Sequence, residues 1–200
     1  MYIFKYFSRL DTVTIAKIIN KKKINVLDYG CGVGTWTKKD LINKSFNKIT
    51  LYDKNQKLYN YLKEKYKNRK VLINFNKNKV LENNKNYDLV VLSSVAQYLS
   101  KNELRKILNK LKNRSKKTVY LIIDIPKFPN YIEFILLPFF NIKRFFFSLS
   151  LIFNAEYKKI KIYNHNYKSY KFLKKQYKIK KIPNLYDLKF LRYTLMIEAK

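Results

Sequence analysis

Glycine is nearly missing from this chain, with 3 in 200 residues. Cysteine, histidine and tryptophan occur once each, proline four times, and acids only 13 times against 44 lysines and arginines. Each shortage removes options. A lone cysteine, Cys31, excludes an intramolecular disulfide, and with His165 as the single histidine no Cys/His cluster of metal-ligating spacing can form, so no metal is expected. A reducing, cytoplasmic setting is the expectation that follows. No apolar run reaches the roughly 18–20 residues of a spanning helix, because Glu133, Lys143 and Arg144 interrupt the most apolar stretch at 131–153. The opening MYIFKYFSRLD puts Lys5 and Arg9 inside what would be the core of a secretory signal, and it does not read as one.

What is present in excess is Lys, Asn, Ile, Tyr and Phe, the pattern of drift toward A/T-rich codons. Residues that persist against such drift carry more information than those it supplies freely. The formal charge of +31 has three readings: codon drift, attraction to an anionic membrane or substrate, and contact with nucleic acid. Lysines are spread along nearly every segment, and no long basic arm stands apart. With 47% hydrophobic residues, the chain is long enough for one domain with a full core and too short for two ordinary ones, so residues 1–200 are expected to form a single domain.

Hydrophobic periodicity alternates along the chain. Residues 10–22 suit a short amphipathic helix. INVLDY, KITLYD, VLINF, YDLVVLSS and TVYLIID read as buried strands, and helices are expected in TWTKKDLINKS, QKLYNYLKEKYKN and NELRKILNKLKNR. The last of these carries Leu104, Ile107, Leu108 and Leu111 on one side. Beyond Pro126 the rhythm breaks into an aromatic-rich segment at about 127–165. It then resumes with NYKSYKFLKKQ as a helix and with YKIKKI and LRYTLMIEA as strands. Such alternation argues an α/β fold, a parallel sheet covered on both faces, with 127–165 as an insertion.

All three glycines fall in VLDYGCGVGTW, as Gly30, Gly32 and Gly34, directly after the first strand. Ligands of open parallel sheets bind beyond the C-terminal ends of the strands, where a glycine turn lets the backbone come close. The spacing is not a dinucleotide fingerprint, because Thr35 stands where G-x-G-x-x-G needs its last glycine, and no Gly-Lys-Ser/Thr phosphate loop is present. The pattern is Asp28-x-Gly30-x-Gly32-x-Gly34, followed by Asp53 at the close of KITLYD.

That combination resembles the class I S-adenosylmethionine-dependent methyltransferases, over about residues 10–126 and 166–199. The resemblance implies a Rossmann-like, doubly wound, mostly parallel sheet with an antiparallel final strand, and S-adenosyl-L-methionine as cofactor. It implies that Asp28 and the glycine turn hold the methionine part and that Asp53 accepts the ribose hydroxyls. Asn76 stands where the family often carries an acid near the adenine, and an amide can exchange hydrogen bonds with the same edge. Ser93 and Ser94 close strand four, where family members contact the cofactor, and Ser93 is the candidate contact. Cys31 has a packing role in this reading.

The acceptor is less defined. Members that methylate base amines often carry Asn or Asp, two prolines and an aromatic at the end of strand four, whereas this chain reads LSSVAQYLS. It is more similar to small bacterial members that act on metabolites, sugars or lipid-linked intermediates. The resemblance therefore implies O-methylation of a small-molecule, sugar or lipid-linked acceptor. A hydroxyl acceptor needs a base near neutral pH, for which the candidates are His165 and Asp124. The alternative is an RNA methyltransferase or a basic nucleic-acid-binding protein. For residues 131–153 three readings stay open: a lid over the acceptor, an anchor on the inner membrane face, and a homodimer contact.

Overall fold

The computed structural model describes residues 24–34, 46–67, 70–82, 87–112, 118–126, 163, 167–183 and 192–199, together with single positions between 135 and 149. The helices expected at 10–22 and 35–45, and most of 127–165, lie outside the described residues.

Strands β1 (Ile24–Tyr29), β2 (Phe46–Tyr52), β3 (Val71–Asn74), β4 (Leu89–Ser93), β5 (Val119–Pro126), β6 (Tyr177–Pro183) and β7 (Arg192–Ala199) form one sheet in the order β3-β2-β1-β4-β5-β7-β6. Strands β1 to β5 pair in parallel, and β7 runs antiparallel to both β5 and β6. All seven strands coincide with expected ones. The reason is visible in β4, whose residues Leu89 to Leu92 are all at 0% exposure: a strand covered on both faces is continuously apolar and hard to mistake.

Alternate residues feed two cores. Val26, Ile49, Leu51, Val91, Leu121 and Ile123 share one with Leu62 of α1 (Tyr59–Lys65) and with Tyr66. Leu27, Val90, Leu92, Tyr120 and Ile122 share the other with Val80 and Leu81 of α2 (Lys77–Glu82) and with Leu104, Ile107, Leu108 and Leu111 of α3 (Lys101–Lys112). Burying four large aliphatic side chains is what holds α3 to the sheet, at roughly 1.5–3 kcal/mol for each. Its N-terminus is a capping box: Glu103 Oε2 accepts from the Ser100 N–H (2.8 Å) and hydroxyl (2.7 Å), while the Glu103 N–H donates to Ser100 Oγ at 3.2 Å.

Two elements differ from the sequence expectation. Helix α2 is six residues long and has too few turns to show a period. It forms because Asn76 Oδ1 accepts from the N–H groups of Asn78 (3.0 Å) and Lys79 (3.2 Å) and so caps it. The expected α-helix NYKSYKFLKKQ is instead a 3-10 stretch, Tyr167–Lys175. Tyr170 and Leu173, both 1% exposed, stand three residues apart and so share one edge of a three-residue turn.

Candidate active site

The parallel strands all end at one edge of the sheet. At the end of β1, Asp28 is 1% exposed and the chain turns sharply: the Tyr52 carbonyl at the end of β2 accepts from the N–H groups of both Gly30 (2.7 Å) and Cys31 (2.9 Å), and the Gly34 N–H donates to Cys31 O at 2.8 Å. The three glycines do different work here. A Cβ on Gly30 would collide with the Val95 side chain, and one on Gly34 would meet the Tyr66 hydroxyl at 2.6 Å. A Cβ on Gly32 would meet nothing within 4 Å, although φ there is +52°. Protein crowds two of the glycines, and the third faces open space.

Asp53 ties the β2 end to this turn. Its Oδ2 accepts from the Gly32 N–H at 2.8 Å and its Oδ1 from the Asn55 N–H at 2.9 Å. A carboxylate has about four acceptor sites, so the half-buried group keeps capacity for a ligand's hydroxyls. From below, Lys65 Nζ donates to the carbonyls of Val33 (2.6 Å) and Gly34 (2.9 Å), and the Tyr66 hydroxyl donates to Gly34 O at 2.9 Å. Cys31 is 6% exposed. Burial, then the negative charges of Asp28 and Asp53, push its thiol far up, so it stays protonated and packs as a small apolar group.

A second polar cluster sits at the ends of β4 and β5. Ser94 and Asp124 are non-glycine residues with left-handed φ, 54° and 69°. The register of β5 against β7 shifts between Ile122 and Ile125, a bulge that re-aims Asp124. Ser94 Oγ donates to Asp124 Oδ2 at 2.8 Å, and Arg192 Nη1 donates to both the Asp124 carbonyl and Oδ2 at 2.9 Å. Backbone strain of this kind, held by an ion pair whose side chains are 12% and 5% exposed, collects at functional sites. Ser94, Gln97, Asp124, Tyr163 and Tyr170 line a pocket at this position, and the Tyr163 N–H donates to Gln97 O at 2.7 Å.

The structure thus brings Asp28, Gly30, Gly32, Gly34 and Asp53 to one turn, with Ser93 half-buried at the neighbouring strand end. Asn76 follows β3 on the far side of β2, with its Oδ1 engaged in capping α2. Asp124 lies in the second cluster as one half of an ion pair. His165 lies outside the described residues. The sequence marks Ser94, with Ser93, at the close of strand four, whereas sequence reasoning missed Lys65, Tyr66 and Arg192. Among 44 basic residues and 18 tyrosines no local signal marks these, and only the fold shows which carbonyls and carboxylate they reach. Among the described residues no group of three or more His, Cys, Asp or Glu side chains is placed to hold a metal.

Residues 26–118 match the model of a family described as a methyltransferase domain. No curated protein matches the chain by sequence. Among solved structures, a S-adenosylmethionine-dependent methyltransferase from Clostridium acetobutylicum superposes with a TM-score of 0.64 at 15% identity, over 95% of this chain and 90% of that one. The magnesium protoporphyrin IX methyltransferase of Synechocystis, solved with S-adenosylhomocysteine bound, gives 0.60 at 14% identity, over 96% and 84% of the two chains. The methyltransferase domain of a bacterial Hen1 protein gives 0.61 at 19% identity, over 96% and 97%. The sheet order is that of the Rossmann-like fold seen in these methyltransferase structures. The family model covers 93 of the 200 residues, and the solved structures share the Rossmann-like fold of this chain.

Proposed function

We propose that this chain is an S-adenosylmethionine-dependent methyltransferase, one domain over residues 1–200 with an insertion at about 127–165, that works in the cytoplasm and methylates a hydroxyl of a small-molecule, sugar or lipid-linked acceptor. The cofactor fits the turn on two observations: the open space above Gly32, and the two acids, Asp28 and Asp53, at adjacent strand ends. When bound, it supplies a methyl group already activated by a sulfonium. Asp28 and the backbone of Gly30, Gly32 and Gly34 hold its methionine part, Asp53 its ribose, Asn76 its adenine edge, and Ser93 contacts it from β4.

The protein's remaining task is alignment of the acceptor and exclusion of water. The observation that carries the acceptor reading is the pocket beside the Ser94–Asp124–Arg192 cluster. It is small, it is polar at the strand ends, and the Tyr163–Gln97 hydrogen bond ties the chain across it. Its space is that of about one water, so in this reading it takes a single small polar group of the acceptor. Because Asp124 already accepts from Ser94 and Arg192, its role in this reading is to position the acceptor. The proton goes to His165, two residues along the chain from the tethered Tyr163.

Two measurements test this. Asp53→Ala removes the ribose acceptor and releases the Gly32 N–H, so calorimetry with S-adenosylhomocysteine should show binding weakened by about 1–3 kcal/mol. Unchanged affinity would remove the cofactor assignment. Labelled methyl transfer into fractionated extracts should then appear in the small-molecule or lipid fraction. Incorporation into RNA, with binding that falls steeply with salt, would favour the second reading, which the +31 charge supports.

A further inference from the structure

We propose that Ile135, Phe139, Ile142 and Phe146 form a docking stripe by which this protein rests on an anionic lipid bilayer. These four large apolar side chains are 63%, 82%, 51% and 60% exposed, and each lies in helical backbone. Their spacings of four, three and four residues match the repeat of one helical face. Leu136, Pro138, Phe145 and Leu149, also helical, are half-buried. The other exposed large hydrophobics described are Tyr59, Tyr61, Leu72 and Tyr98, at 38% to 48%; three of these have a polar tip and none belongs to such a stripe.

The occupant follows from orientation and charge. A lid would turn these side chains toward the pocket, whereas they point to solvent. A second copy of the chain would bring another +31 against the first, but an anionic surface is attracted by that charge. No Asp or Glu occurs between residues 134 and 155, while Lys143 and Arg144 follow Ile142 in the sequence. An apolar face with cations and no acids is the composition of a helix that lies in the headgroup layer. No helix among the described residues is long and apolar enough to cross a membrane. The inference is independent of the acceptor reading, since it uses only exposure and charge, and its test involves no methyl transfer.

The test is sedimentation of the full chain with vesicles of phosphatidylcholine alone and of three parts phosphatidylcholine to one part phosphatidylglycerol. A variant with Ile135→Ser, Phe139→Ser, Ile142→Ser and Phe146→Ser keeps every charge. The parent should bind the anionic vesicles, and the variant should bind them about tenfold or more weakly while keeping its affinity for S-adenosylhomocysteine. In a separate Phe139→Trp variant, the added fluorescence should shift to the blue on anionic vesicles and be quenched by brominated acyl chains. This reading holds even if the quadruple variant fails to fold. Equal binding by parent and quadruple variant would mean that charge alone holds the protein and would overturn the proposal. So would a parent that ignores anionic vesicles, an unshifted tryptophan, or a variant whose only change is dissociation of a dimer.

Discussion

The two polar ends of this sheet are built by opposite means. At the β1–β2 end the turn is more local: glycine supplies the backbone geometry, and the side-chain ties run over 21 residues from Gly32 to Asp53 and 32 from Gly34 to Tyr66. At the β4–β5 end the geometry is imposed from a distance. Ser94 and Asp124 are held in left-handed conformations without glycine, by an ion pair that spans 68 residues to Arg192. The first site is shaped by which side chains are absent, and the second by which side chains meet. Substitutions should therefore fail differently at the two ends.

The largest effect is expected at the second. Arg192→Ala leaves the Asp124 carboxylate, 5% exposed, without its cation, and breaking a buried pair from one side costs about 3–5 kcal/mol. Adding Asp124→Asn should restore part of that stability, because no charge then stays buried. Urea unfolding of the single and double variants checks the ordering. If the double variant is the less stable, the pair is not what holds the strained turn.

The next effect separates the glycines of the first end. Gly30→Ala must adopt a positive φ and push against Val95, at a cost of roughly 2–4 kcal/mol of stability. Gly32→Ala meets no neighbour and should lose only about 1–2 kcal/mol of stability, from its φ alone. Its added methyl occupies the open side of the turn, so calorimetry should show the larger loss in cofactor affinity. If both variants lose stability alike and keep affinity, the space over Gly32 is not the ligand's.

The same contrast explains what was legible in the sequence. The β1–β2 end is written in short-range pattern: three glycines in five residues, an acid before them, and an acid one helix and one strand later, all in a chain poor in both residue types. Central strands such as β4 were legible because burial on both faces makes them unbroken apolar runs, edge strand β6 because apolar residues recur between its lysines, and α3 because Leu104, Ile107, Leu108 and Leu111 repeat at helical spacing. The β4–β5 end was legible in Ser94 as a strand-end serine and in Asp124 as a strand-end acid. Its partner Arg192 is one of 44 basic residues, and nothing in LRYTLMIEA shows that β7 would lie beside β5 in the register that delivers a guanidinium to that carboxylate. Helix α2 escaped because a side-chain cap and two buried residues, Val80 and Leu81, are enough to make six residues helical once a sheet is there to receive them.

The smallest effect concerns neither end but the helix that follows the strained Ser94 turn. Hydrogen bonds from the Ser100 hydroxyl and backbone N–H hold the Glu103 carboxyl below its ordinary value of 4.5. A carboxyl lowered in the folded state binds its proton more readily in the unfolded chain. Its contribution is therefore complete above the unfolded value and is lost as pH falls through the folded one. Glu103→Gln keeps the geometry of the capping box and removes only the charge. At neutral pH the variant should be less stable by about a few tenths of a kcal/mol, since the group is exposed and screened. Thermal melts carried downward from neutral pH should then show parent and variant converging once the pH lies below the folded value, because the protonated parent has lost what the variant never had. A gap that stays constant with pH would show that Ser100 is held by shape alone, and that the start of α3 owes nothing to the charge.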